Sequence, residues 1–283
     1  MDGLLLFHGS RPGFFCINEI NKSSLRISTS VCEFVSFIKL KIFRPSAILG
    51  NMEQQDLIKT YLSEIMGSCK PQFDLYENLL LNANQHINLT SITKHEDIVS
   101  KHFLDSLLAE SFIPQGASVA DVGSGGGCPA IPLKIVRDDL SFTLIEATGK
   151  KCLFLESVVD KMSLSGVEVL NMRAEDAGKS VKHREAYDVC CARAVAPLNI
   201  LAEYCLPLVK TGGIFIAYKG DAAEETETAR NAVSILGGSF EGIHPFTLPD
   251  AQGCRTVLVI RKVHSTPAKY PRANGKVKKN PLI

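Results

Sequence analysis

Apolar residues recur at two different spacings along this chain, and the spacing changes near Gly116. Between 57 and 65 they recur every three or four positions, which is the spacing of a helix with one buried face. The same pattern predicts helices near 71–84 and 96–112, and it breaks between them at 88–90. We therefore expect an all-helical N-terminal segment that packs against the rest of the chain.

After Gly116, short β-prone runs alternate with helical stretches. Strands are expected at 118–123, 141–146, 167–172, 187–192, 213–218, 239–247 and 254–262. Helices are expected at 129–137, 149–164, 197–209 and 222–236. This alternation predicts a mostly parallel sheet covered on both faces. The last two strands have no helix between them, so they predict an antiparallel hairpin at the edge of the sheet.

The first strand ends in a glycine-rich turn, Asp-Val-Gly-Ser-Gly-Gly-Gly at 121–127. Such a turn between a strand and a helix is typical of nucleotide sites. The missing side chains let a ligand approach the backbone, and the helix N-terminus offers unpaired N–H groups. The dinucleotide pattern G-x-G-x-x-G fails at its third glycine, where Cys128 stands. The pattern Asp-x-Gly-x-Gly-x-Gly instead resembles that of methyltransferases that use S-adenosylmethionine.

The second strand ends in an acid, Glu146. A carboxylate at this position is where a bound nucleoside presents its ribose hydroxyls, although a solvated strand-end acid is the alternative for Glu146 alone. Ligands of such sheets bind beyond the carboxyl ends of the strands. Candidate binding groups also follow the later strands, at 173–175, at Arg193 and at Lys219. Together these positions predict one site at that edge of the sheet.

Composition narrows the class of protein. The chain has 283 residues, 45% of them hydrophobic, and a net charge of +1, so we expect a packed core and no overall disorder. A near-neutral charge disfavours a whole-surface polyanion binder, so contact with nucleic acid would use local patches. The nine cysteines show no C-x-x-C spacing, which favours free thiols in a reducing cytoplasm and no metal site. No apolar run is long enough to span a membrane.

Four regions are expected. Residues 1–51 hold six basic and three acidic residues without a sustained period, and we interpret them as a poorly ordered N-terminal extension or misassigned start, with a targeting peptide as the alternative. Residues 52–115 form the helical segment, and 116–263 form the α/β domain. Residues 264–283 form a basic tail whose prolines predict no regular helix. It is either a solvated tail or an arm that follows an RNA backbone.

With these residues assembled, the stretch from Asn88 to Gly220 resembles the small-subunit ribosomal RNA guanine-N7 methyltransferase family. That family is also called glucose-inhibited division protein B or methyltransferase G. The matching segments are Asn88-Leu89-Thr90, His102 to Ser106, Asp121 to Pro132, Gly149-Lys150-Lys151, Arg173-Ala174-Glu175, Ala192-Arg193-Ala194 and Tyr218-Lys219-Gly220. The resemblance implies an α/β, Rossmann-like class I methyltransferase fold with an N-terminal helical segment.

The resemblance further implies a monomeric cytoplasmic enzyme that transfers a methyl group from S-adenosylmethionine to N7 of one guanine in 16S rRNA of the small ribosomal subunit. By position, the implied cofactor-binding residues are Gly123, Gly125, Cys128, Glu146, Ala174, Glu175 and Arg193. Glu146 takes the ribose, and Ala174 and Glu175 flank the adenine. Arg193 and Lys219 are the substrate-facing candidates, and no residue is implied as a general base. The chain departs from the family at Gly126 and Cys128, where other members often carry Pro and a larger apolar residue.

Three rival functions share part of this pattern. A nicotinamide-dependent oxidoreductase has the same strand, turn, helix and second-strand acid, but the third glycine and a Tyr-x-x-x-Lys proton donor are missing here. A non-catalytic ribosome-assembly factor would not need the glycines, Glu146 and Arg193. A methyltransferase with a protein or small-molecule substrate would not need the basic tail.

Overall fold

The computed structural model describes residues 60, 64, 66–193, 196–248, 254–273 and 275–283. The strands are β1 Ser118–Val122, β2 Ser141–Glu146, β3 Val167–Asn171, β4 Tyr187–Arg193, β5 Val209–Lys219, β6 Gly238–Thr247 and β7 Cys254–Lys262. The helices are α1 Lys70–Asn84, α2 His95–Ile98, α3 Asp105–Leu107, α4 Ala130–Val136, α5 Gly149–Lys161, α6 Ala174–Ala177, α7 Leu198–Cys205, α8 Ala223–Ile235 and α9 Lys276–Lys279. The expected extension at 1–51 lies outside the described residues.

The strands form one seven-stranded sheet in the order β3-β2-β1-β4-β5-β7-β6. β1 to β5 pair in parallel, and β7 lies antiparallel between β5 and β6. The antiparallel hairpin edge is confirmed, and the fold is the expected α/β, Rossmann-like class I architecture. Strand order reverses between β1 and β4, and ligands of open α/β sheets bind outside the strand ends at such a reversal.

The helical stretch at 96–112 is not the single regular helix that the sequence predicts. Between α2 and α3, residues Val99–Leu104 form a π-helix, and Glu110–Phe112 form a 3-10 turn. A π turn adds one residue to each hydrogen-bonded loop, and such turns occur often at functional sites. Here the π-helix carries His102, whose neighbours are described below.

Helices cover both faces of the sheet. On one face, α1 packs against the π-helix through three aromatic rings. The ring centroids of Phe73 and Tyr76 lie 4.9 and 5.6 Å from the ring centroid of Phe103. All three side chains are buried, and burying one such aromatic ring contributes roughly 1.5–3 kcal/mol. The other face is covered by α7, α8 and the C-terminal segment. The described part of the helical segment packs against the α/β domain as expected, and most of the helix expected at 57–65 lies outside the described residues.

The C-terminal segment folds back onto the domain. The Arg184 guanidinium donates to the carbonyl oxygens of Thr266 and Tyr270 at 2.6 and 2.8 Å. Arg272 pairs at 2.6 Å with Glu203, whose side chain is fully buried. Val277 is also buried. The expectation of no regular helix is wrong for one turn, α9, because the stretch between Pro271 and Pro281 contains no proline.

Candidate functional site

A cavity of about 480 Å³ lies at the carboxyl ends of β1, β2 and β4. Its volume falls within the usual range for small-ligand sites. The structure brings seven of the sequence-predicted residues together in its lining: Gly123, Gly125, Cys128, Glu146, Ala174, Glu175 and Arg193. They come from four separate stretches of chain, so their meeting follows from the strand order. Lys219 is not part of the lining.

The backbone of the glycine loop lies in the left-handed region, which favours glycine. Gly123, Gly125 and Gly127 have φ values of +74°, +56° and +97°. A Cβ on Gly127 would lie 2.7 Å from a side-chain carbon of Ile131, so this glycine is needed for packing. A Cβ on Gly125 would meet only the Gly123 carbonyl, at 3.7 Å. Gly125 therefore leaves open space, and that space is the cavity.

Tyr76 of α1 contacts the glycine loop through its hydroxyl group. Its hydroxyl donates to the Gly126 carbonyl at 2.6 Å and lies 3.4 Å from the Cys128 sulfur. The Tyr76 side chain is fully buried. The apolar pattern of α1 marks Tyr76 as inward-facing, but nothing in the sequence indicates that it contacts a loop fifty residues later.

Glu146 is buried at the end of β2 and faces the glycine loop. One carboxylate oxygen accepts from the Gly125 N–H at 3.1 Å, and the other accepts from the Thr148 N–H at 2.8 Å. The Asn171 amide donates to the Glu146 backbone carbonyl at 3.1 Å. The carboxylate is thus fixed beside the loop and has acceptor capacity left, since each oxygen carries two lone pairs. This arrangement suits a ligand that offers hydroxyl donors.

Arg193 joins the sheet to the helical segment. Its Nη1 donates at 2.8 Å to Asp105 and at 3.2 and 3.3 Å to the carbonyls of Lys101 and His102. Burial alone would lower the pKa of Arg193, but Cys128 and Asp105 raise it above its ordinary value. Asp105 also pairs with Arg255 at 3.2 Å. Asp105 thus pairs with two arginines across this interface, and Nη1 of Arg193 donates its hydrogen bonds to protein atoms.

His102 lies between Arg193 and Thr90. Its Nδ1 is 3.3 Å from Arg193 Nη2, and its Nε2 is 2.8 Å from the Thr90 hydroxyl oxygen. Burial and the Arg193 charge lower the pKa of His102 to about 4, so the ring is neutral at neutral pH. Both His102 and Thr90 line the cavity.

Lys219 lies away from the cavity. Its ammonium donates to the Ala196 carbonyl at 2.8 Å and pairs with Glu225 of α8 at 2.5 Å. Other cations border the cavity instead, namely Lys151, Arg173 and Lys278. Lys151 and Arg173 stand in segments that the sequence comparison singles out. Nothing in the sequence predicts that Lys278, from the C-terminal segment, reaches the same site.

The described residues hold neither a metal cluster nor a membrane-spanning helix. No group of three or more His, Cys, Asp or Glu side chains among them could hold a metal ion. Within the same residues, no helix is both long enough and apolar enough to cross a membrane.

Comparison with known proteins adds an independent observation. The model of a family described as "GidB: rRNA small subunit methyltransferase G" matches residues 69–251. The Ribosomal RNA small subunit methyltransferase G of Lactobacillus acidophilus is 41% identical over 225 residues, covering 77% of this chain and 93% of that protein. The protein of the same name from Acetivibrio thermocellus is 44% identical, covering 75% and 88%. That of Staphylococcus carnosus is 45% identical, covering 76% and 91%.

Proposed function

Because this chain belongs to the rRNA small subunit methyltransferase G family, we propose that its cavity transfers a methyl group from S-adenosylmethionine to N7 of one guanine in 16S rRNA. The chain is thus an rRNA methyltransferase with a Rossmann-like class I fold. The observation that carries the assignment of S-adenosylmethionine to the cavity is the open glycine loop beside the Glu146 carboxylate. A loop with room at Gly125 and a fixed acceptor at the next strand end suits a nucleoside with ribose hydroxyls.

The residues of the cavity fit S-adenosylmethionine, which when bound supplies an electrophilic methyl group. We assign the backbone at Gly123 and Gly125 to close contact with the amino-acid end of the cofactor. Glu146 accepts from the ribose hydroxyls. Ala174 and the buried Glu175, at the start of α6, border the adenine. Cys128 packs beside the loop, where Tyr76 holds its sulfur.

The protein's task in this reaction is to position the base. Guanine N7 has an exposed lone pair and no proton at neutral pH, so no general base is required. Holding N7 close to the methyl group and in line with the bond that breaks supplies much of the acceleration. The rigid environment of Arg193, tied to Asp105 and to the π-helix, suits that task. A neutral His102 is consistent with it too, because no proton has to be taken up.

Cations at the cavity border support an RNA substrate. Lys151, Arg173 and Lys278 border the cavity, and α9 adds Lys276 and Lys279, which are exposed. We assign these side chains to phosphates of the rRNA around the target guanine. We assign a structural role to Lys219. It pairs with Glu225 of α8 and donates to the Ala196 carbonyl, and so joins α8 to the chain after β4. We further propose that the protein acts as a monomer on small subunits in the cytoplasm.

Ligand-dependent stability separates this proposal from the oxidoreductase alternative. A ligand that binds only the folded state raises the melting temperature. We expect S-adenosylmethionine at saturating concentration to raise it by several degrees and NAD to leave it unchanged. Labelled methyl groups should then pass to small subunits that lack N7-methylguanine. A shift with NAD alone, or no transfer to rRNA despite cofactor binding, would contradict the proposal.

A further inference from the structure

The hydrogen-bond roles around Thr90 are fixed by Arg193. A guanidinium can only donate, so the contact from Arg193 Nη2 makes His102 Nδ1 an acceptor. In a neutral imidazole the other nitrogen then carries the hydrogen, so His102 Nε2 donates to the Thr90 oxygen at 2.8 Å. The Ile92 N–H donates to the same oxygen at 3.0 Å. A hydroxyl oxygen has two lone pairs, so Thr90 keeps only its O–H donor for a ligand.

The backbone of Thr90 is also held in place. The Asn84 side-chain oxygen accepts from the N–H groups of Leu89 and Thr90 at 2.9 and 3.0 Å. The Asn84 amide donates to the Thr90 carbonyl at 2.9 Å. Thr90 therefore lines the cavity as a side chain with a fixed position and a fixed sense of hydrogen bonding. The sequence places Thr90 in a break between helices and gives it no role.

We propose that the Thr90 hydroxyl donates a hydrogen bond to O6 of the target guanine and so selects guanine over adenine. This inference rests on the proposed function. Guanine presents O6 and N7 as neighbouring acceptors on one edge, whereas adenine presents an amino group beside N7. A hydroxyl whose lone pairs are both occupied cannot accept from that amino group. With adenine, the Thr90 O–H donor would face the amino donor. With guanine, the Thr90 O–H donates to O6, and N7 stays exposed to the methyl group.

In this account His102 and Arg193 are positioning residues. Asp105 fixes Arg193, Arg193 fixes the tautomer of His102, and His102 fixes the sense of the Thr90 hydroxyl. The chain of contacts starts at Asp105 of α3, passes through Arg193 of β4 and ends in the loop after α1. These contacts give Arg193 a role at the cavity border, although its Nη1 donates to protein atoms and not to a ligand.

The test compares two bases in small subunits that are otherwise identical. One carries guanine at the target position, and the other carries 2-aminopurine, which keeps N7 but has no oxygen at position 6. Wild type, Thr90→Val and Thr90→Ser are compared by kcat/KM for methyl transfer. From guanine to 2-aminopurine, kcat/KM should fall roughly 5- to 10-fold more for wild type than for Thr90→Val. This is the difference expected for one neutral hydrogen bond. The difference in intrinsic N7 reactivity cancels in this cycle.

Controls separate this inference from folding and from the proposed function. Thr90→Ser keeps the hydroxyl and should keep the discrimination between the two bases. Calorimetric binding of S-adenosylmethionine shows whether Thr90→Val is folded, and Thr90→Ala replaces it in the cycle if it is not. An equal loss of kcat/KM on both bases when Thr90 is replaced by Val would overturn the role of Thr90. No transfer by wild type to guanine would instead refute the proposed function.

Discussion

Gly125 and Gly127 lie in the same turn, and both have positive φ, yet the space around them differs. Replacing Gly125 by Asp places a charged side chain in the cavity, and its Cβ would meet only the Gly123 carbonyl, at 3.7 Å. Aspartate is among the residues that tolerate positive φ. We therefore expect Gly125→Asp to fold and to lose binding of S-adenosylmethionine in calorimetry.

Gly212 supplies a matched control for that change. It also has a positive φ, of +88°, and a Cβ there would meet nothing within 4 Å. It lies in β5, outside the cavity lining. Gly212→Asp should leave cofactor affinity unchanged. If Gly125→Asp bound the cofactor with wild-type affinity, the placement of the site would be wrong.

His102 gives a second prediction at the scale of one residue. Its pKa is lowered from 6.5 to about 4, so we expect its ring NMR signals to stay constant from pH 8 to pH 5.5. In the unfolded chain the same ring binds a proton near pH 6.5, so its contribution to stability is present above that pH and is lost as the pH falls towards 4. The His102 signal is assigned by its absence in His102→Gln. A titration midpoint near 6.5 would contradict the burial of His102 and its contact with Arg193.

At the scale of elements, strands could be predicted from the sequence better than helices. β2 lies at 141–146 as expected, since the short length of the apolar run and its β-prone residues favour a strand over a buried helix segment. The helix expected at 96–112 is interrupted by the π-helix at Val99–Leu104, and β5 starts at Val209 rather than 213. Periodicity detects which face is buried. It does not detect the extra residue in each turn of the π-helix. It also does not detect where β5 begins, because that end is set by pairing with β4.

The parts of the site that could be predicted are those with a local pattern in the sequence. The glycine turn and Glu146 carry a local signal, because glycine content and a strand-end acid are visible in a single stretch of sequence. The contacts of Thr90, His102 and Arg193 join positions up to 91 residues apart. No local pattern contains them. They depend on how the helical segment lies across the sheet.

The contact between α1 and the glycine loop gives a prediction for that pair of elements. Tyr76→Phe removes the hydroxyl that donates to the Gly126 carbonyl. Leaving that carbonyl without its partner should lower the free energy of unfolding by about 1–3 kcal/mol. It should also weaken cofactor binding several-fold, because the loop loses its support. Denaturant unfolding and calorimetry measure the two effects.

Tyr187→Phe is the control for Tyr76→Phe. It removes another buried hydroxyl, which contacts His183 at 2.7 Å, and neither residue lines the cavity. A similar loss of stability with unchanged cofactor affinity is expected. If both variants bound the cofactor as wild type does, α1 would have no part in shaping the site.

At the scale of the whole molecule, the C-terminal segment combines a structural part and a charged part. Tyr270 and Val277 are buried, so truncation would remove core contacts together with charges. Changing Lys276, Lys278 and Lys279 to glutamine removes only exposed charge. We expect an unchanged melting temperature and weaker binding to 16S rRNA, with the slope of log K against log salt reduced by up to roughly 2–3. An unchanged slope would show that these lysines are solvated and contact no phosphate.

The most direct test of the whole account is the position of the transferred methyl group. The full chain is incubated with S-adenosylmethionine and with small subunits that lack N7-methylguanine, and the rRNA is then treated with borohydride and aniline, which cleave at N7-methylguanine. We expect one new cleavage in 16S rRNA, which is absent when Gly125→Asp replaces wild type. Methyl incorporation without cleavage, or no incorporation by an enzyme that binds the cofactor, would contradict it.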